Sequence, residues 1–298
     1  HANQALEECD TLIVLGARFD DRATGKVAQF CPNAKIVHID IDASELNKIK
    51  NAQVGIVADL GEALDYLIPQ IEDRFEDAWN RRIEQLKRDF PGEDRRLDDP
   101  LSPYGIIDHV ARMLEGETYI TTDVGQHQMR VAQIFPFERP RQWLTSGGLG
   151  TMGFGLPAAI GAALEKPDAT VVCFSGDGSL LMNIQELITA VEVNANLKIV
   201  LCNNNSLGLV HQQQDLFYGK RIFASNYARA VDFRTIAQGF QMEACDLGEC
   251  SDPILAIAEA LAKPGPILIN APIDVQQKVL PMVPPGGANC EMIHGGSR

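Results

Sequence analysis

Two short segments carry oxygen-rich chemistry. Gly176-Asp177-Gly178-Ser179 follows the apolar run Thr170–Ser175, and Asn203-Asn204-Asn205-Ser206 follows the run Leu197–Cys202. Small residues beside Asp177 let the backbone approach a ligand. The helix expected to begin there offers unpaired N–H groups and a positive dipole end suited to a phosphate. Asp177 adds a hard anionic oxygen of the kind that binds magnesium. Alone, this segment reads as an ordinary strand–helix turn with an N-cap aspartate. The second segment changes the weighting, because Asn204 lies 27 residues after Asp177. That is about one strand–helix–strand unit, so both ends should emerge side by side. An aspartate oxygen, an asparagine amide oxygen and a backbone carbonyl in the turn make half of an octahedral Mg²⁺ shell, which diphosphate oxygens and water would complete. Asn203 and Asn205 read as turn formers.

A third segment competes for the same interpretation. Gly148, Gly150 and Gly153 form a G-x-G-x-x-G pattern between a short strand and a helix, and Asp177 follows the next strand. That also fits a dinucleotide fingerprint, so a nicotinamide dehydrogenase stands as the rival to a metal–diphosphate site. Against it, a nicotinamide site explains neither Gly178 nor the asparagine cluster, and Pro157 sits at the start of the following helix.

The elements that must hold these segments alternate. Thr11–Gly16, Lys35–Ile41 and Val54–Asp59 are short runs rich in β-branched residues, and Gly61–Ile71 reads as a helix after them. From Leu101 the alternation resumes, with strands at Thr118–Thr122, Gln142–Thr145, Thr170–Ser175, Leu197–Cys202 and Pro266–Ala271. Helices are expected at Ile106–Leu114, Leu156–Leu164, Asn183–Val193, Phe233–Phe240 and Pro253–Ala262. Near-continuous apolar strands between helices predict an α/β fold of two doubly wound parallel-sheet domains. Between them, Phe75, Trp79, Ile83, Leu86 and Phe90 share one face of a densely charged helix that Pro91-Gly92 stops, and Glu93 to Pro100 reads as a linker. The expected organisation is residues 1–73, a helix and linker over 74–100, a main domain over 101–280 and a tail over 281–298.

Composition narrows the function classes. Twenty-six Lys and Arg against 40 Asp and Glu give a net charge of −14, which argues against nucleic acid and anionic membrane surfaces as partners. Seven scattered cysteines without a C-x-x-C pair read as reduced thiols of a cytoplasmic protein. The long uncharged run from Gln142 to Leu164 holds Pro157 and repeated glycines, which does not suit a membrane span.

Together these segments carry a resemblance. G-D-G followed by N-N at this spacing resembles the thiamine-diphosphate enzymes. VGQHQM (124–129), TSGGLGTMGFGLPAAIGAAL (145–164), GLVHQQQDLFY (208–218) and LPMVPPG (280–286) resemble the catalytic large subunit of acetolactate (acetohydroxyacid) synthases. LGARFDDRATGK (15–26) and HIDID (38–42) resemble the FAD-binding middle domain of that family. The likeness runs through nearly the whole chain and is strongest to the bacterial isozyme I branch.

The resemblance implies decarboxylation of pyruvate and its condensation with a second 2-keto acid, the step that opens branched-chain amino-acid synthesis. By family pattern Asp177, Asn204 and the carbonyl of Ser206 would hold Mg²⁺. Val124, Gly125, Gln126, His127, Gly150, Met152, Gly178, Ser179, Gly208 and Leu209 would contact thiamine diphosphate, with Met152 supporting its bent shape. Gly16, Ala17, Arg18, Asp20, Arg22, Asp40, Ile41 and Asp59 would contact FAD, which is structural in this family; capping or turn formation is the alternative reading for Asp20, Asp21 and Asp59. Gln213 stands where relatives that favour 2-ketobutyrate carry tryptophan. Arg130 stands where relatives usually carry tryptophan. The family's pyrimidine-binding domain, with its catalytic glutamate, has no counterpart in these 298 residues, so no catalytic residue is assigned here. A non-catalytic cofactor-binding fragment is therefore a third reading. A homodimer or higher homo-oligomer and a small regulatory subunit are the implied partners.

Overall fold

The computed structural model describes residues 1–72, 77–90 and 95–295. The chain divides into two compact units, one made of His1–Glu93 with Leu280–Arg298 and the other of Asp94–Val279. Both are α/β, and every strand pairing is parallel.

The first unit has three strands, β1 (Thr11–Leu15), β2 (Lys35–Asp40) and β3 (Val54–Val57), in the order β1-β2-β3. Leu15 lies opposite Ile39, and Asp40 opposite Val57, so the carboxyl ends line up. Ile36 on the central strand packs with Cys9, Val14, Phe19 and Phe30. The Asp59 carboxylate caps helix Leu60–Leu67 by accepting from Gly61 N (2.8 Å) and Glu62 N (3.2 Å). The charged segment forms helix Asp77–Asp89, which buries Leu86 and joins Arg82 to Glu8. Phe75, Pro91, Gly92 and the start of the expected linker lie outside the described residues. The segment after Val279, which shows no element by sequence, belongs to this unit. Gly287 O accepts from Lys26 N (2.9 Å), and Asn289 Nδ2 donates to Ala23 O (3.0 Å).

The second unit carries β4 (Thr118–Thr122), β5 (Trp143–Thr145), β6 (Thr170–Gly176), β7 (Leu197–Asn203), β8 (Glu243–Asp246) and β9 (Ile267–Pro272), in the order β5-β4-β6-β7-β9-β8. Alternate residues feed opposite faces, as the two-residue period of a strand requires. Val172, Phe174, Val200 and Ile269 join one core with helices Gly105–Met113, Gln126–Ile134 and Pro253–Ala262. Val171, Cys173, Ile199 and Leu268 join the other with Gly155–Glu165, Glu186–Glu192 and Phe233–Gly239. This sheet is therefore covered by helices on both sides, which is why its strands read as unbroken apolar runs. The chain leaves β4 for β5 on one side and returns to β6 on the other. That reversal opens a crevice beyond the carboxyl ends of β4 and β6, the usual ligand position in such sheets. No helix among the described residues is long and apolar enough to cross a membrane.

Candidate cofactor-binding site

The crevice contains a cavity of about 180 Å³. β6 delivers Asp177 to it, and β7 delivers Asn204 and Ser206. The turn after β4 delivers Val124 and Gly125, followed by Gln126 and His127 at the start of helix Gln126–Ile134. Leu209 and Gln213 come from helix Gly208–Phe217. Of the residues singled out above for this site, only Gly150 does not line the cavity. It turns at φ +65° beside Val124.

Asp177 is fixed by backbone donors. Its Oδ1 accepts from Gly178 N (2.7 Å), and its Oδ2 accepts from Asn204 N (3.1 Å) and Ser206 N (3.2 Å). Burial nonetheless pushes its pKa above the ordinary aspartate value, with those N–H bonds opposing the shift. No ion pair with a cationic side chain relieves it among the described residues. Asn205 takes φ +53°, and Asn203 Oδ1 accepts from Asn205 N (3.2 Å), so the flanking asparagines do form the turn that sets Asn204 and Ser206. The donors gathered here are hard oxygens, suited to a magnesium-like cation.

The turn after β4 brings in unpaired polar atoms. Among the described residues, Gln126 Oε1 and His127 Nε2 are buried and have no hydrogen-bond partner. Burial, reinforced by the Arg130 charge, lowers the His127 pKa to about 3, so its imidazole is neutral at pH 7. Beside these atoms the backbone is cut close. A methyl group on Gly208 would come 2.5 Å from Gln126 Oε1 and 2.6 Å from Asn204 Nδ2, and one on Gly178 would meet Leu207 and lie 2.7 Å from the Tyr227 hydroxyl. Buried polar atoms without partners are rare. Here they line one glycine-rich cavity together with the Asp177 carboxylate. A neutral imidazole can donate from Nε2 to a phosphate, and Gln126 Oε1 can accept from a ligand N–H or face a cation, an arrangement that fits a metal-bound diphosphate cofactor.

Two positions that hold this site together are not apparent from sequence. Asp123, wholly buried at the end of β4, accepts from Gly153 N (2.7 Å), Gly155 N (3.2 Å) and Ser175 Oγ (2.8 Å). Gln212 Oε1 accepts from Gln126 Nε2 (2.7 Å) and Val279 N (2.8 Å) and so orients Gln126. Asp123 also decides the glycine-rich segment. In a dinucleotide fold the N-terminus of the helix after these glycines receives the pyrophosphate. Here the N–H groups of Gly153 and Gly155 are already bound to an internal carboxylate. The nicotinamide reading of Gly148, Gly150 and Gly153 therefore lacks its phosphate site.

In the first unit, Gly16 (φ +58°) turns away at the end of β1, and Asp40 ends the neighbouring β2, with Ile41 exposed beyond it. Arg18 and Asp20 line a second cavity of about 230 Å³, to which Gly16, Asp40, Ile41 and Asp59 do not contribute. Ala17 O meets His38 Nε2 at 3.0 Å, and Arg22 is exposed on the short helix Asp21–Thr24 that Asp20 caps. The structure thus brings Gly16 and Asp40 to one sheet edge but commits Asp20 and Asp59 to capping.

These features define a class before they define a protein. Residues 123–271 match the thiamine pyrophosphate enzyme C-terminal TPP-binding domain, and residues 1–67 match the central domain of the same enzymes. The chain belongs to the thiamine pyrophosphate enzyme family. Within it, the chain is 57% identical over 291 residues to acetolactate synthase isozyme 1 large subunit of Escherichia coli, covering 98% of this chain and 52% of that protein. It is 43% identical over 310 residues to the chloroplastic acetolactate synthase 1 of rice, Oryza sativa, covering 99% and 48%. It is also 40% identical over 293 residues to the E. coli isozyme 2 large subunit, covering 98% and 53%. The chain spans about half the length of these relatives.

Proposed function

We propose that this chain is the thiamine-diphosphate-binding part of an acetolactate synthase large subunit, acting on pyruvate and a second 2-keto acid. The observation that carries the reading is one glycine-rich cavity that Asp177, Asn204 and Ser206 line together with the unpaired Gln126 Oε1 and His127 Nε2. Magnesium would be held by Asp177, Asn204 and the Ser206 carbonyl. The diphosphate would lie along Gly178, Ser179 and Gly208 and would accept from His127 Nε2, while Gln126 Oε1, an acceptor, would face the metal or a donor group of the cofactor.

When bound, thiamine diphosphate supplies the carbon nucleophile and the electron sink for decarboxylation. The chain's own residues bind and orient. The Ser179 hydroxyl donates to Val124 O (2.9 Å) and ties the β6 turn to the β4 turn. Neutral His127 can offer either ring nitrogen without adding charge. Met152, Leu209 and Val210 exclude water from the cavity, where fixed dipoles then act at low dielectric. Gln213 lines the same cavity and would face the second substrate.

FAD would lie against Gly16, Ala17, Arg18 and Ile41 at the carboxyl edge of the first sheet, near Asp40. Asp20, Arg22 and Asp59 would act through the helix starts they form, not as free ligands. The reading carries with it a homodimer, a cytoplasmic setting and a smaller regulatory partner, which the naming of the relatives as large subunits supports. The test is calorimetric titration of the purified protein with thiamine diphosphate in Mg²⁺ and in EDTA, beside an assay of acetolactate formation from pyruvate. Mg²⁺-dependent binding without appreciable acetolactate formation by these 298 residues alone supports the reading; absent thiamine diphosphate binding, or robust acetolactate formation by these residues alone, overturns it.

A further inference from the structure

Among the described residues Arg130 is the largest fully buried side chain, and the chemistry described so far does not use it. It is 1% exposed and lines the cofactor cavity. One guanidinium nitrogen donates to Gln277 O, and the guanidinium lies 5.6 Å from the centre of the Tyr104 ring. Its Nε is buried with no partner. No carboxylate pairs with it among the described residues. A buried guanidinium held by the Gln277 carbonyl and Tyr104, with Nε unpartnered and no carboxylate beside it, is an incomplete site, because a buried charge is tolerated only when paired.

Its position says which ligand would complete it. Arg130 lies one turn beyond Gln126 and His127 on the same helix, and residues three and four apart share a face. The His127 ring lies against Gly176, where a methyl group would sit 2.9 Å from Nδ1. The Cys202 thiol, another lining group, feels both the Arg130 and the Asp177 charges. Arg130, His127, Cys202 and Asp177 therefore line one cavity, in which the guanidinium and the Asp177 carboxylate carry opposite charge.

We propose that Arg130 is a second counter-charge for the cofactor's diphosphate, acting in addition to the metal. This rests on the thiamine-diphosphate reading above. Its consequence is that binding depends on the phosphate number of the ligand through Arg130 as well as through Mg²⁺. The unpaired Nε and the unpaired His127 Nε2 would both be satisfied by the same anionic group.

The test is calorimetric titration of the purified protein with thiamine diphosphate, thiamine monophosphate and thiamine, in Mg²⁺ and separately in EDTA. Arg130→Met keeps the apolar stem and deletes the charge, and Arg130→Lys keeps a charge without the planar fork. The expected result is about a tenfold loss of thiamine diphosphate affinity in Arg130→Met, about 1.4 kcal/mol. The loss should be smaller for the monophosphate and absent for thiamine, with most of it recovered in Arg130→Lys. Equal losses for all three ligands would make Arg130 a packing residue and overturn the proposal. Unchanged diphosphate affinity in a folded Arg130→Met protein would overturn it too. Failure of the unmutated protein to bind thiamine diphosphate at all is a different result, which removes the cofactor reading itself.

Discussion

Replacing Asp177 by asparagine should separate ligand binding from folding. The carboxylate accepts three backbone N–H bonds, from Gly178, Asn204 and Ser206. An asparagine has one acceptor oxygen, which can keep the Asn204 and Ser206 pair while the Gly178 bond is lost. A lost hydrogen bond of this kind costs about 1 kcal/mol. The same change removes a buried charge that no cationic side chain relieves, which offsets part of that cost. The ligand-free variant should therefore melt within about 4 °C of the parent, since 1 kcal/mol moves Tm by about 2–4 °C for a unit of this size. The holo effect is larger. Thiamine diphosphate at 100 times its Kd stabilises the folded state by about 2.7 kcal/mol, or about 5–11 °C. In Asp177→Asn that Mg²⁺-dependent shift should vanish. The assay is differential scanning calorimetry with and without cofactor and Mg²⁺. A full Mg²⁺-dependent shift in the variant would place the metal elsewhere. A loss of more than about 3 kcal/mol without ligand would make Asp177 a structural strut.

Asp123→Ala should behave in the opposite way: it orphans three buried donors, so the ligand-free protein should lose about 3 kcal/mol by chemical denaturation, and near-parental stability would refute the positioning role. His127, with its pKa lowered from the ordinary histidine value of 6.5 to about 3 in the fold, gives a pH signature. The unfolded chain takes up the proton first as pH falls, so the stability from keeping this ring neutral is complete above about pH 6.5 and declines toward pH 3, by up to about 1.4 kcal/mol per pH unit. His127→Gln should flatten that limb in urea melts run from pH 7 to 4, and an unchanged slope counts against it. Gln213→Trp, by adding an apolar wall, should raise the preference for 2-ketobutyrate over pyruvate as second substrate by about tenfold, ~1.4 kcal/mol. Scoring both acetohydroxy acid products in a competition assay checks this, and a strong 2-ketobutyrate bias before mutation contradicts it.

What could be read from the sequence followed from local rules. β-branched runs between helices located eight of the nine strands within one or two residues, because strands buried on both faces need unbroken apolar sequence. Asp177 and Asn204 were visible because the length of a strand–helix–strand unit fixes where consecutive strand ends emerge. β8 was missed because Glu243–Asp246 lies at a sheet edge and has no β-branched residue. Helix Gln126–Ile134 was hidden by its polar first turn, whose glutamine and histidine are buried by the site and not by a core. Asp123 had one faint signal, an acid directly after an apolar strand and ahead of a glycine-rich segment. Its partners lie 30, 32 and 52 residues away, and no local pattern encodes them. Gln212 likewise reads as one more glutamine in a run of three, until the fold places Gln126 and Val279 against it. The segment after Val279 looks structureless because its order comes from Lys26 and Ala23, far away in the chain.

The central claim is that the cavity beyond β4, β6 and β7 holds a metal-bound diphosphate. Isothermal calorimetry with thiamine diphosphate, in Mg²⁺ and again in EDTA, tests it most directly, with NAD⁺ titrated as the competing ligand. The account predicts saturable binding of one thiamine diphosphate per chain that is lost in EDTA, and no NAD⁺ binding to this cavity. Thiamine diphosphate affinity that is indifferent to Mg²⁺, or NAD⁺ binding that needs no metal and is abolished by Gly208→Ala, would contradict it.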